Sequence, residues 1–134
     1  MTATPRQAVE ALFADLTSDA PDPAAIAARF TDDVVYQIGV GMPLVQGRAA
    51  LVAELARQGG IYRDLSLDVR TWVVAGGVVV TERVDEFTLA HNGVHATNPV
   101  VAIFEVGPDG LIRAWREYWD AAFLGQAINA PAAS

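Results

Sequence analysis

Apolar residues recur with a helical period at the start of this chain and with a strand period through its second half. Val9, Leu12, Phe13 and Leu16 fall at i, i+3, i+4 and i+7, one face of a helix. Thr4 can cap that helix, Pro5 suits its first position, and Gln7 completes a capping box. Asp22-Pro23 repeats the cap-plus-proline start and predicts a short, Ala-rich helix over Ala24–Phe30, with Ile26 and Phe30 one turn apart. Thr31-Asp32-Asp33 reads as a turn. Val34–Val40 alternates as a strand, with Val34, Tyr36, Ile38 and Val40 on one face. Met42-Pro43 to Gly47 reads as a loop. Leu51, Val52 and Leu55 mark a third helix over Arg48–Gln58, which Gly59-Gly60 ends.

The second half reads as a meander. Leu65–Val74 and Val78–Leu89 flank a turn at Gly76-Gly77, and Asn92-Gly93 is a strong hairpin signal that leads into Val94–Val106. Pro108-Asp109-Gly110 joins that strand to Leu111–Asp120. A last helix over Ala121–Ile128 precedes a small-residue tail, 129–134, expected to fray. Helices first and a long antiparallel meander after them predict an α+β domain. Its helices pack on one face of a curved sheet, and a cone of this kind can hold a pocket.

Length and composition narrow the function. The 134 residues suit one domain, with a core over about 5–124, and 52% of them are hydrophobic, which excludes wholesale disorder. A net charge of −7 argues against nucleic acid and against an anionic membrane surface. With no cysteine there is no disulfide and no thiolate zinc site, and two histidines, His91 and His95, leave little for a metal. Residues 1–10 lack the pattern of a targeting signal, and Trp72–Val80, the longest apolar stretch, is too short to span a bilayer as a helix. A cytoplasmic protein without metal or cofactor is expected. There is no glycine fingerprint, P-loop or nucleophile elbow.

Three places could carry chemistry. In the strand Val78–Leu89, Arg83 and Asp85 share a face with Val79, Phe87 and Leu89, so a cation and a carboxylate stand among large apolar groups. The plain alternative is a structural ion pair at a sheet edge. Asp120 ends the last strand, where strict alternation puts it with Tyr118, Arg116, Ala114 and Ile112. It is equally placed to cap the final helix. Tyr36 could orient a water, or could be a core tyrosine bonded to a carbonyl. Met42 and Trp72 read as packing residues, His91 as an exposed imidazole beside the turn, and His95 as a surface imidazole with a pocket acid–base group as the alternative.

Taken together, Val35-Tyr36-Gln37, Thr81-Glu82-Arg83-Val84-Asp85 and Trp115-Arg116-Glu117-Tyr118-Trp119-Asp120 resemble the limonene-1,2-epoxide hydrolase family. That family carries T-E-R-V-D and W-R-D/E-Y-F/W-D at these places. Its cone-shaped fold is shared with nuclear transport factor 2 and ketosteroid isomerase. The resemblance covers roughly Pro5 to Phe123. It implies a cofactor-independent hydrolase that adds water to an apolar cyclic or terpene-like epoxide to give a vicinal diol. It also implies that Asp120 is the general base, Asp85 the general acid, Arg83 the bridge between them and Tyr36 a holder of the water. Val34, Ile38, Val79, Phe87 and Leu89 would line the substrate pocket. A homodimer packed through the sheet is implied as well. One position departs from the family: two residues after the tyrosine it has an asparagine that binds the water, and here stands Ile38. An isomerase or cyclase of the ketosteroid-isomerase type, or a non-catalytic binder of apolar ligands, would use the same scaffold.

Overall fold

A computed structural model describes residues 2–134. The first helix, α1 (Pro5–Leu16), starts as its sequence dictates: Gln7 N–H donates to Thr4 Oγ1 at 3.2 Å and Thr4 N–H to Gln7 Oε1 at 3.0 Å. Its buried side is Ala8, Val9, Leu12 and Phe13. Helix α2 (Pro23–Ala27) is capped by Asp22 and is shorter than the composition predicts. Phe30 opens strand β1 (Phe30–Gln37) instead of closing a helix, so Thr31-Asp32-Asp33 is strand and not turn. The tertiary reason is plain. Phe30 is wholly buried in the main core and meets Trp115 edge-on at 5.8 Å, which outweighs the local turn preference of Thr-Asp-Asp.

The segment read as a loop contains the two-residue strand β2 (Val45–Gln46), paired with Val35 and Tyr36, and α3 (Arg48–Gly59) follows it. Strands β3 (Tyr62–Ala75), β4 (Val78–Leu89), β5 (His95–Val106) and β6 (Ile112–Trp119) make the meander, and α4 (Ala121–Ile128) ends it. The sheet order is β2-β1-β6-β5-β4-β3, antiparallel throughout except for the parallel pair β1–β6. Two register shifts in β3 and one between β5 and β6 mark bulges, which bend and twist a sheet. The predicted α+β class with a curved, mostly antiparallel sheet is the fold observed.

The helices cover one face. Phe13 on α1 packs against Trp72 of β3 at 5.9 Å and Phe104 of β5 at 5.8 Å. A second, smaller cluster of Phe87, Leu89, Ala96 and Leu124 lies at the other end, under α4. The tail, expected to fray, makes two hydrogen bonds to Asn92. Asn92 Nδ2 donates to the carbonyls of Ala127 and Ala130, and Ala133 N–H donates to the Asn92 carbonyl at 2.8 Å. Among the described residues no helix is long and apolar enough to cross a membrane.

Candidate active site

Strand β4 delivers the first half of the site. Val79, Thr81, Arg83, Asp85, Phe87 and Leu89 all point inward and are buried, as alternation predicts. Arg83 Nε donates to Asp85 Oδ1 at 2.7 Å and Nη2 to Asp85 Oδ2 at 3.1 Å, a two-pronged grip on the carboxylate. Nη2 also donates to Glu117 Oε2 of β6. Arg83 therefore lies between two carboxylates, as expected, but the second is Glu117 and not Asp120.

The correction has a structural cause. Val106 pairs with Ile112, but Glu105 pairs with Ala114, so β6 carries one extra residue at its start. Ile112 and Trp115 both point inward across that bulge, and the inward set continues as Trp115, Glu117 and Trp119. A one-residue slip moves every following side chain to the other face. Strict alternation from Ile112 would turn Asp120 inward, and the bulge turns it outward. Asp120 is exposed, and its Oδ1 accepts from Ala122 N–H at 2.9 Å and Phe123 N–H at 3.1 Å as the cap of α4.

These residues face a cavity of about 260 Å³. Tyr36, Ile38, Arg83, Asp85, Phe87, Leu89, Trp115 and Glu117 line it, together with Gln58 of α3 and Asn98 of β5. Two residues expected on its wall are elsewhere. Val34 and Val79 are fully buried in the main core, behind the site. Met42, read as packing, is partly exposed at the rim, and the exposed His95 faces Glu86, away from the cavity.

The polar groups are ordered by their partners. Trp115 Nε1 donates to Glu117 Oε2 at 3.0 Å, so that oxygen serves both the indole and Arg83 while Oε1 takes neither. Tyr36 stacks on Trp115 with ring centroids 4.0 Å apart. Its hydroxyl accepts from Gln58 Nε2 at 3.2 Å, which leaves its own proton for a group in the cavity. Gln58 Oε1 in turn accepts from the Tyr62 hydroxyl at 2.7 Å.

Burial sets the charges. Asp85 is 8% exposed, and desolvation pushes its carboxyl up to about 6 against the pull of Arg83, with Glu117 adding to the rise. Burial works against the charge of Arg83, and Glu117 and Asp85 outweigh it, so its pKa is raised and it stays a cation. Burial, followed by the nearby Glu117, pushes the Tyr36 phenol well above its ordinary value, so it stays a neutral donor. The arrangement offers a carboxyl able to hold a proton near neutral pH, a second carboxylate with a free oxygen, and a phenol, all at the wall of an apolar cavity. Among the described residues no group of three His, Asp or Glu is placed to hold a metal ion.

Residues 9–115 match the family model described as a SnoaL-like domain. A Mycobacterium tuberculosis epoxide hydrolase of the limonene-epoxide-hydrolase-like type is 28% identical, with a TM-score of 0.76 over 92% of this chain and 87% of that one. Two further solved structures share the fold. The epoxide hydrolase/cyclase-like enzyme SalBIII of pyran ring formation in salinomycin is 21% identical, with a TM-score of 0.78 over 89% of this chain and 92% of that one. A hypothetical protein with ketosteroid isomerase-like fold from Catenulispora acidiphila is 18% identical, with a TM-score of 0.81 over 96% of both chains.

Proposed function

The chain belongs to the SnoaL-like domain family, and we propose that it is a cofactor-independent epoxide hydrolase acting on an apolar cyclic or terpene-like epoxide. The observation that carries this reading is Arg83 held between Asp85 and Glu117 at the cavity wall. Tyr36 positions a water and Glu117 removes its proton as the water oxygen attacks an epoxide carbon. The carbon–oxygen bond breaks, and the departing oxygen takes a proton from Asp85. The product is the vicinal diol, with Glu117 protonated and Asp85 ionised until one proton returns between them. An epoxide oxygen is a poor leaving group until it is protonated, so acid and base must act together. Two carboxyls in unlike surroundings can meet both needs at one pH.

The M. tuberculosis relative supports the hydrolase reading by its own activity. Ile38 favours a second reading. It leaves the wall beside Tyr36 apolar, and a hydroxyl of the substrate itself could then replace water and close a cyclic ether. A ketosteroid-isomerase-type reaction is a further alternative on this scaffold, and proton exchange beside a substrate carbonyl would mark it. A panel of cyclic epoxides and of epoxides that carry a hydroxyl able to reach the epoxide carbon, assayed in ¹⁸O-water without added cofactor or metal, decides. Diol carrying one ¹⁸O supports the hydrolase, and an unlabelled product isomeric with its substrate supports the cyclase. Saturable binding with no product in either form supports a binding module.

The same reading includes a homodimer. Val101 and Tyr118 are register partners on the outward face of the sheet and each is 40% exposed. Val35 is a further exposed apolar residue of the outward face. Sedimentation at micromolar concentration should give twice the chain mass, and Val101→Lys should give the monomer.

A further inference from the structure

Asn98 stands out among the inward-facing residues of β5. Its neighbours along that face, Ala96, Val100, Ala102 and Phe104, are all apolar. It is 8% exposed and lines the cavity, and its Oδ1 is buried without a hydrogen-bond partner among the described residues. Polar groups buried in this way are nearly always satisfied, because leaving one unpaired destabilises the fold. Neither the acid–base pair nor its bridge uses Asn98, since both oxygens of Asp85 are already held by Arg83. Yet Asn98 is the register partner of Asp85 across β4–β5, so the two side chains stand together on the same face.

We propose that Asn98 is a specificity residue that binds a hydroxyl on the substrate, next to the epoxide oxygen that Asp85 protonates. An amide turning about its last side-chain bond presents either an acceptor or a donor. A hydroxyl can satisfy both, whereas an ether or a bare hydrocarbon cannot. The preferred substrate is then an otherwise apolar cyclic epoxide carrying one hydroxyl near the ring oxygen. The position also separates this hydroxyl from an attacking one. Glu117 pairs across the sheet with Ala102, four residues further along β5, so a group at Asn98 lies on the acid's side and not the base's. The inference deepens the epoxide hydrolase reading and rests on it for the reaction, though not for the binding.

The experiment pairs two measurements. Wild type and Asn98→Leu are compared on a hydroxylated cyclic epoxide, its deoxy analogue and its methyl ether. Wild type should favour the hydroxylated compound in kcat/KM by about tenfold or more. Asn98→Leu should abolish that preference, and it should melt higher than wild type without ligand, because an unpaired amide has been removed. The second measurement uses the corresponding unreactive cyclic alcohol and its deoxy analogue, with binding read from Trp115 and Trp119 fluorescence. The hydroxyl should improve affinity in wild type and not in the variant. This arm tests Asn98 even if no epoxide is turned over, so a failed reaction and a failed specificity role give different results. Asn98→Ala repeats both arms should Asn98→Leu fold poorly. Equal preference ratios in wild type and variants overturn the proposal. So does a uniform loss of rate on all three epoxides with a shifted pH profile, which would make Asn98 a support for Asp85 instead.

Discussion

Tyr36 and Trp115 are register partners on the parallel strands β1 and β6, and their rings stack at 16° with centroids 4.0 Å apart. The same indole donates its N–H to Glu117. One side chain thus fixes both the phenol proposed to hold water and the carboxylate proposed to deprotonate it. Trp115→Phe should keep the stack and lose the hydrogen bond. We expect kcat to fall by about tenfold, as for one hydrogen bond to a charged group, with Tyr36 still in place. A rate within twofold of wild type would show that Arg83 alone orients Glu117.

Glu117 and Asp120 make opposite predictions. Glu117→Gln should lower diol formation by roughly 100- to 10,000-fold, the loss typical of a general base. Asp120→Ala should leave kcat within a few fold and instead destabilise the protein by about 1 kcal/mol, the cost of a lost helix cap. Asp120→Asn, which can still cap, should be near wild type in both. Activity assays and chemical denaturation of the three variants check this. A dead, stable Asp120→Asn would return the base to Asp120.

Asp85 gives the pH dependence. Acid catalysis needs its protonated form, and its pKa is raised to about 6, so kcat/KM should decline as pH rises through about 6. Stability follows with the same sign. Between about pH 4 and 6 the folded protein holds a proton on Asp85 that the unfolded chain has released. Stability from this group therefore falls as pH rises across that window and is lowest above it. Denaturation midpoints of wild type and Asp85→Asn over this range should diverge, with the variant lacking the decline. Parallel curves would mean that Arg83 holds Asp85 ionised throughout.

How much of this was readable from the chain depends on where regular periodicity holds. The inward set of β4 has no bulge, and Arg83, Asp85, Phe87 and Leu89 fall where alternation places them. The β6 bulge leaves no clear mark in the residues Leu111-Ile112-Arg113-Ala114, so alternation counted from Ile112 turns Asp120 inward and Glu117 outward, the reverse of what is observed. The position of Glu117 inside the W-R-E-Y run was visible, but its face was not. Asn98 falls inside the predicted strand Val94–Val106, but only the β4–β5 register, which no single segment of sequence carries, sets it opposite Asp85. Gln58 reads as the polar end of a helix. Only the close approach of α3 to β1 brings its amide to Tyr36.

The last prediction concerns Ile38, which lines the cavity just beyond the end of β1. Ile38 is partly buried against the core that holds Val34 and Tyr36 and also lines the cavity, so an amide there would meet the cavity at some cost in packing. The question is whether the water lacks an anchor. Gln58 already brings an amide to the Tyr36 hydroxyl at 3.2 Å. If that amide does the work of the asparagine found in the epoxide hydrolases that the sequence resembles, Ile38→Asn alone gains nothing and lowers turnover of an apolar epoxide by removing wall. Gln58→Leu should then lower turnover by about tenfold, a single hydrogen bond's worth at a group gaining charge. Adding Ile38→Asn to Gln58→Leu should restore part of it, since the two amides would serve one water from different sides. The measurement is kcat for wild type, both single variants and the double variant on one epoxide. Additive losses in the double variant would show that Gln58 acts on packing and not on the water. A tenfold gain in Ile38→Asn alone would show that the water site is missing a partner.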